Sequence, residues 1–239
     1  QLNPVCGPVY VKGARRGDLL EITIDEIIPE DKGITFVQAG FGPLAENTKW
    51  PELTKDVTKI IKHVPGPSGT TRDGKAVFND KLSWSLLPHV GTIGVAPDFE
   101  IHSSLSAQIP CAGNFDCRDI REKSKIFINC YHEGALLFLG DVHAGQGDTE
   151  WSGTADEVRA EVKLSCRVIK NKKIPFIRIE KEESIIQLFA DKPMEEAVHS
   201  AIKNLMDWMI SDYKMNPLDV YMMLTPNPAF RVRVYQMIR

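Results

Sequence analysis

The sequence predicts a mainly β protein, a sandwich or barrel-like body with a C-terminal α+β portion. Three observations predict it: alternation at period two recurs up to Phe189, helical periodicity is confined to the residues after it, and Pro and Gly punctuate the gaps. Leu20, Ile22 and Ile24 alternate with Glu21, Thr23 and Asp25, the pattern of a half-buried strand. Ile126 to Cys130 predicts a shorter strand, and the apolar run Gly134-Ala135-Leu136-Leu137-Phe138-Leu139 a buried one. From Val158 to Val168 the even positions are apolar and the odd ones polar, as in a sheet with one wet face. Ile174 to Ile179 and Ser184 to Phe189 complete the strands of this region, and Pro65-Gly66-Pro67-Ser68-Gly69 marks a long flexible loop.

After Phe189 the period changes. Asp191-Lys192-Pro193 with Glu195 and Glu196 opens a helix, the acids facing the positive end of the macrodipole. Met194, Ala197, Val198, Ala201, Ile202, Leu205, Met206 and Met209 recur at helical spacing, and that stripe reads as core. Asn216-Pro217 starts a second, short helix with Asp219 placed for a cap. Phe230, Val232 and Val234, alternating with Arg231, Arg233 and Tyr235, predict a final strand running towards Arg239. The expected division is a β-rich catalytic body over 1–170 and an α+β tail with two helices over 171–239.

Composition removes several classes of function. A net charge of −3 on 239 residues offers neither nucleic acid nor an anionic membrane a basic surface. No apolar run reaches bilayer-spanning length, and no signal-peptide pattern is present. Five cysteines without paired spacing fit a reducing compartment, so a cytoplasmic location is expected. Cys130-Tyr131-His132 is the one stretch that places a Cys near a His, and a Cys nucleophile at 130 is not expected.

The chemistry concentrates in residues 140–150, where Asp141, His143, Gln146, Asp148 and Glu150 are threaded on Gly140, Gly145 and Gly147. Glycine-rich polar segments are ordinarily turns; an imidazole and this density of carboxylates exceed what a turn needs. Asp141 and His143 stand two apart, so an extended chain presents both on one face. Oxygen plus imidazole suits a divalent metal, zinc first and calcium as the alternative.

Several separated segments together resemble the acetamidase/formamidase family. They are Asn3-Pro4-Val5-Cys6-Gly7-Pro8-Val9-Tyr10-Val11, the stretch from Gly13 to Leu20, His89-Val90-Gly91-Thr92-Ile93-Gly94-Val95-Ala96-Pro97, Gly113-Asn114-Phe115-Asp116, and Gly140 to Glu150 followed by Gly153-Thr154-Ala155. The resemblance implies hydrolysis of a short aliphatic amide to carboxylate and ammonia by a homo-oligomer, expected as a dimer. It also implies that a β segment ordinarily precedes the Asn3-Pro4 motif. The small-molecule amide is thus the expected partner, with no nucleic acid and no membrane. Asp141 and His143 are the first expected metal ligands, with Asp116 brought from another loop as a third. Glu150 or Asp148 is expected to move the proton, and Asn114 to orient the amide by donating and accepting at once. His89, Gln146, Gly145 and Gly147 are the expected substrate-binding residues, the glycines letting backbone N–H groups approach an oxyanion. Two alternatives are carried: a hydrolase of a larger or cyclic amide, with residues 63–78 as a pocket wall, and a non-catalytic member binding structural calcium through Asp141, Asp148 and Glu150.

Overall fold

A computed structural model describes residues 3–46, 49–100, 102–105 and 108–237; Gln1, Leu2, Ile238 and Arg239 lie outside the described residues. In chain order the strands are Val5–Val9 (β1), Leu19–Pro29 (β2), Lys32–Val37 (β3), Val57–Val64 (β4), Lys75–Val77 (β5), Ser83–Ser85 (β6) and His89–Gly94 (β7). Gln108–Ile109 (β8), Ala112–Asn114 (β9), Lys125–Asn129 (β10), Leu137–His143 (β11), Ala160–Ile169 (β12), Arg178–Lys181 (β13) and Ser184–Gln187 (β14) follow. Two helices, Met194–Tyr213 (α1) and Pro217–Met223 (α2), close the order.

The strands form three antiparallel sheets, in orders β1-β11-β7-β9-β8, β12-β2-β10-β13-β14 and β3-β4-β5-β6. The first two supply one shared core. Ile22, Ile24 and Ile27 of β2 and Ile126 and Ile128 of β10 pack in one cluster with Val90 and Ile93 of β7 and Val142 of β11. Each such side chain, fully withdrawn from water, contributes about 1.5–3 kcal/mol before chain entropy is counted. A smaller cluster of Ile61, Ala76, Leu86 and Ala144 fastens the third sheet to the end of β11.

Several expectations are corrected by tertiary contacts. The strand expected to be half-buried is central, paired on one side with β12 and on the other with β10. Leu19, Leu20, Glu21 and Ile22 are therefore all buried, with Arg167 pairing the Glu21 carboxylate. The run from Gly134 becomes strand only at Leu137, and the strand continues through His143. Ile174 to Ile177 is not strand, because the Asn129 side chain bonds both polar groups of Ile174, at 2.7 and 3.0 Å. β13 and β14 are the outer strands of the sheet containing β2 and β10, so this sheet draws on both sides of residue 170. Residues 63–78 hold the end of β4, a Thr71–Asp73 turn and β5, and none of them lines the large cavity of this structure.

The helices form where expected, yet the α1 stripe is not core. Only Trp208 of that helix is buried, and Met194 is 50% exposed. Ala197, Val198, Ala201, Ile202, Leu205 and Met209 instead line a cavity of 1820 Å³ between α1 and the β body. Periodicity specifies which face of a helix is apolar; the distance to the opposing surface is a tertiary property. Nor does the expected final strand form among the described residues. Residues 231–237 join no ladder, and the backbone groups of Val234 and Met237 bond to Thr149 in a turn.

Candidate functional site

β11 and β7 assemble the site through their register. Gly140 pairs with Thr92, Val142 with Val90 and His143 with His89. Asp141 adopts φ +58 within β11, a left-handed conformation that Asp tolerates better than most residues. Its carboxylate stays on the His143 side, with Oδ1 3.5 Å from His143 Nε2. Asp116, Thr149 and Glu150 also have positive φ, so the unusual backbone gathers around this one histidine.

His143 is fully buried, and its two ring nitrogens face different chemistry. Nδ1 lies 2.9 Å from Gln146 Oε1. The Gln146 amide is oriented by its own Nε2, which donates to the carbonyls of Asp116 at 2.7 Å and Tyr235 at 3.1 Å. Oε1 is thereby turned to accept the Nδ1 proton, which leaves Nε2 aimed at carboxylates. Glu157 Oε2 is 3.2 Å, Asp141 Oδ1 3.5 Å and Asp116 Oδ1 4.0 Å from Nε2. Burial alone would push the His143 imidazolium down, but Glu157 and Asp141 outweigh it and hold the group well above its ordinary value.

Around His143 the donors fall into two overlapping sets, Asp116 with Glu150 and Asp141 with Glu157, each within 4.8 Å. His143 Nε2 and Asp116 Oδ1 are buried without a hydrogen bond. A buried polar atom without a partner is costly, and a nitrogen and carboxylate oxygens converging on one point fit a divalent cation. Gly91 keeps that point open: a Cβ there would lie 2.7 Å from Asp141 Oδ2 and 2.8 Å from Asp116 Oδ1. Burial raises the Asp116 carboxyl well above the usual carboxylate range, with the Glu150 charge adding to it. Burial likewise raises the Glu150 carboxyl, against the opposing pull of His143.

The other expected residues are distributed differently. His89, fully buried, sits behind His143 with its rings edge to face at 4.9 Å and its Nε2 3.0 Å from Gln146 Oε1. Burial and the neighbouring His143 push it down to about 3, so it is a neutral support for Gln146 and His143. Asn114 is committed at both ends, its Nδ2 donating to the Leu105 carbonyl at 3.1 Å and its Oδ1 accepting from Thr92 at 2.6 Å. Asp148 is exposed and lies 3.0 Å from Arg118, away from His143's donors. Gly145 is buried and its carbonyl accepts from Asp156 N–H at 3.0 Å, whereas Gly147 is exposed with open space around it. Cys130 is buried and its thiol is pushed up to about 11, which leaves it no nucleophilic character.

Glu157 is the residue sequence reasoning missed. It precedes an alternating strand on the polar parity, the mark of a wet face. Pairing of residues 156–158 with the end of β11 turns it inward: Ala144 N–H donates to the Asp156 carbonyl at 2.8 Å and Val158 N–H to the Val142 carbonyl at 3.0 Å. Glu157 Oε1 then accepts from Ala155 N–H at 2.9 Å, freeing Oε2 to face His143. Behind it, the buried His63 holds Asp156 Oδ2 at 3.0 Å and the Glu30 carbonyl at 2.7 Å. A charged residue following Gly153-Thr154-Ala155 was the one signal available.

The profile of the acetamidase/formamidase family matches residues 1–111 and 107–229. A Schizosaccharomyces pombe protein provisionally named formamidase C869.04 is 25% identical over 72% of this chain and 53% of its own, so this chain spans about half the length of that relative. The acetamidase of Yersinia enterocolitica has a structure with a TM-score of 0.85 at 28% identity, covering 99% of this chain and 70% of that one. The acetamidase of Bacillus halodurans also gives 0.85, at 29% identity over 98% and 74% of the two chains. A gamma lactamase from Delftia acidovorans, at 18% identity and a TM-score of 0.64 over 92% and 69%, shares the fold.

Proposed function

The chain belongs to the acetamidase/formamidase family, and on that premise we propose that it hydrolyses short aliphatic amides, of formamide or acetamide type, at the His143 cluster. The observation that carries the reading is the pair of buried, unbonded atoms His143 Nε2 and Asp116 Oδ1 among further carboxylates. We assign Asp116, Asp141, His143 and Glu157 to hold a divalent cation, zinc before calcium because an imidazole nitrogen belongs to the set. When bound, such a cation polarises the amide carbonyl and acidifies a water molecule. The structural-calcium alternative required Asp148, which is paired with Arg118 instead.

The protein's own groups do the rest. Gln146 Oε1 faces His143 Nδ1, which leaves Nε2 as the ring atom directed at the carboxylates, where a cation would take the place of its proton. Glu150, buried at 6% exposure with its carboxyl raised by burial, is the proton carrier. Water adds to the amide carbon, its proton passes to Glu150, and Glu150 returns that proton to the nitrogen as the C–N bond breaks. Carboxylate and ammonia leave. The stored carboxylate repulsion among Asp116, Asp141, Glu150 and Glu157 favours a cationic guest and excludes anionic ones.

A second reading concerns substrate size. Asp141, Glu150 and Glu157 line the same 1820 Å³ cavity as the apolar face of α1, and pockets for drug-sized ligands span about 300–1,000 Å³. That volume favours amides with a longer apolar acyl group. Self-association as a homodimer and residence in a reducing compartment are proposed with the activity; the free state of all five cysteines supports the second.

The deciding experiment is ammonia release from formamide, acetamide, propionamide and hexanamide, before and after chelation and with zinc added back. Release removed by chelator and restored by zinc is expected. A metal-loaded, folded chain inactive on all four amides refutes the amidase reading, and full activity after chelation refutes the metal.

A further inference from the structure

Residues 233–237 carry no strand, yet several contacts fasten them beside the His143 cluster. Thr149 N–H donates to the Val234 carbonyl at 2.7 Å, and Met237 N–H donates to the Thr149 carbonyl at 3.1 Å. The Tyr235 carbonyl accepts from Gln146, the residue that orients His143. Arg233 and the Tyr235 hydroxyl both donate to buried Asp119, at 2.7 and 2.6 Å, and Lys181 holds the other oxygen of that carboxylate at 2.6 Å. Between these anchors Gln236 reaches in and donates its Nε2–H to Asp116 Oδ2. Gln236 lines the same cavity as Asp141, Glu150 and Glu157.

The group delivered there is chemically specific. A glutamine side chain ends in a primary carboxamide, and its last two carbons with their oxygen and nitrogen are acetamide in a tethered form. The bonds to Asp119 and Thr149 hold the segment on either side without touching the cluster, and the Gln236 carboxamide adds to them a side-chain bond to Asp116 within it, which helps keep the strap closed. The carboxamide meets the one oxygen of Asp116 that faces away from His143, while Oδ1 is directed at Nε2.

We propose that residues 233–237 form a strap and that Gln236 is a tethered mimic of the substrate, occupying the subsite in which Asp116 Oδ2 accepts the N–H of a primary amide. This rests on the amidase reading above. Substrate then enters by displacing the strap, and the apparent affinity falls by the fraction of molecules in which the strap is open. With the strap closed in nine molecules of ten, KM is raised about tenfold. The subsite also selects primary amides, because an N,N-dialkyl amide has no N–H to offer Asp116.

The test uses the full chain and its Gln236→Met variant, which keeps side-chain length and removes the carboxamide. KM for acetamide is expected to fall several-fold, towards tenfold, with kcat within about twofold of the parent. In parallel, hydrogen exchange is read at the amides of Thr149 and Met237 with and without saturating acetamide. Exchange at Met237 is expected to accelerate with acetamide in the parent and to be fast in the variant without it. An unchanged or raised KM with a lower kcat overturns the proposal, since Gln236 then only orients Asp116. Exchange indifferent to acetamide also overturns it. Should neither chain hydrolyse formamide, acetamide, propionamide or hexanamide, the amidase reading falls on its own, and the exchange experiment still decides the strap.

Discussion

Replacing His63 with glutamine is expected to destabilise the protein by about 3–5 kcal/mol near pH 6, the cost of leaving a buried charge without its partner. The magnitude follows from what surrounds the pair. The His63 and Asp156 side chains are 0% and 3% exposed, so water screens neither. Both ring nitrogens face acceptors, the Glu30 carbonyl at 2.7 Å and Asp156 Oδ2 at 3.0 Å, and an imidazole satisfies two acceptors only by carrying two protons. Burial opposes that charge, but the Asp156 carboxylate and the Glu30 carbonyl overcome it and raise His63 above 6.5. A glutamine side chain in its place would offer one amide group instead of two opposed donors, and Asp156 Oδ1 already lacks a hydrogen bond. Since stabilities are roughly 5–15 kcal/mol in all, the loss is readily measured. The folded-state value is the raised one, so the pair's contribution is complete below pH 6.5 and fades as pH climbs through the folded value. Guanidinium titrations of the parent, His63→Gln, Asp156→Asn and the double variant, at pH 6 and pH 9, supply the energies. The parent should exceed His63→Gln by more at pH 6 than at pH 9, and the cycle should show coupling. A loss under about 1 kcal/mol at pH 6 with no coupling would refute the charged-pair argument.

The site itself yields further tests. Gly91→Ala places a Cβ 2.7 Å from Asp141 Oδ2 and 2.8 Å from Asp116 Oδ1; it should cost about 1–3 kcal/mol of stability and lower ammonia release about 100-fold, as misplacing groups by roughly 1 Å does. An active Gly91→Ala enzyme would show that those carboxylates need not converge. Glu157→Gln should weaken zinc binding about 10–100-fold in a competition titration, and unchanged affinity removes Glu157 from the ligand set. Ellman's reagent should find only the exposed Cys6 and Cys166 in the native protein. Burial pushes the thiols of Cys111, Cys117 and Cys130 up to about 11, 12 and 11, so these three should react only after denaturation. Asn216→Ala, which removes the one oxygen that accepts from Leu218 N–H at 2.9 Å and Asp219 N–H at 3.3 Å, should lower stability by about 0.5–2 kcal/mol without touching turnover.

Local pattern determined a great deal about this protein. Alternation at Leu20, Ile22 and Ile24 and after Val158 declared the sheets, and Pro193 with Glu195 and Glu196, then Asn216-Pro217, declared both helix starts, because those signals depend only on neighbours in sequence. Asp141 and His143 were legible for the same reason: two residues apart in an extended chain lie on one side. Asp116 entered through the family resemblance, not through spacing. What no local pattern carries is which distant segment arrives opposite. Glu157 reads as a solvent-facing residue until the pairing of residues 156–158 with β11 directs it at His143. His89 and Gln146 read as substrate contacts, and the β7–β11 register places them behind His143. The α1 stripe announces an apolar face, yet only packing decides that this face borders a cavity. Residues 231–237 show strand alternation and form none, because the backbone groups of Val234 and Met237 bond to a turn carrying Thr149. Propensity and period act over a few residues, whereas a site is made by contacts across a hundred, and those are decided by the one arrangement of sheets that buries the shared core.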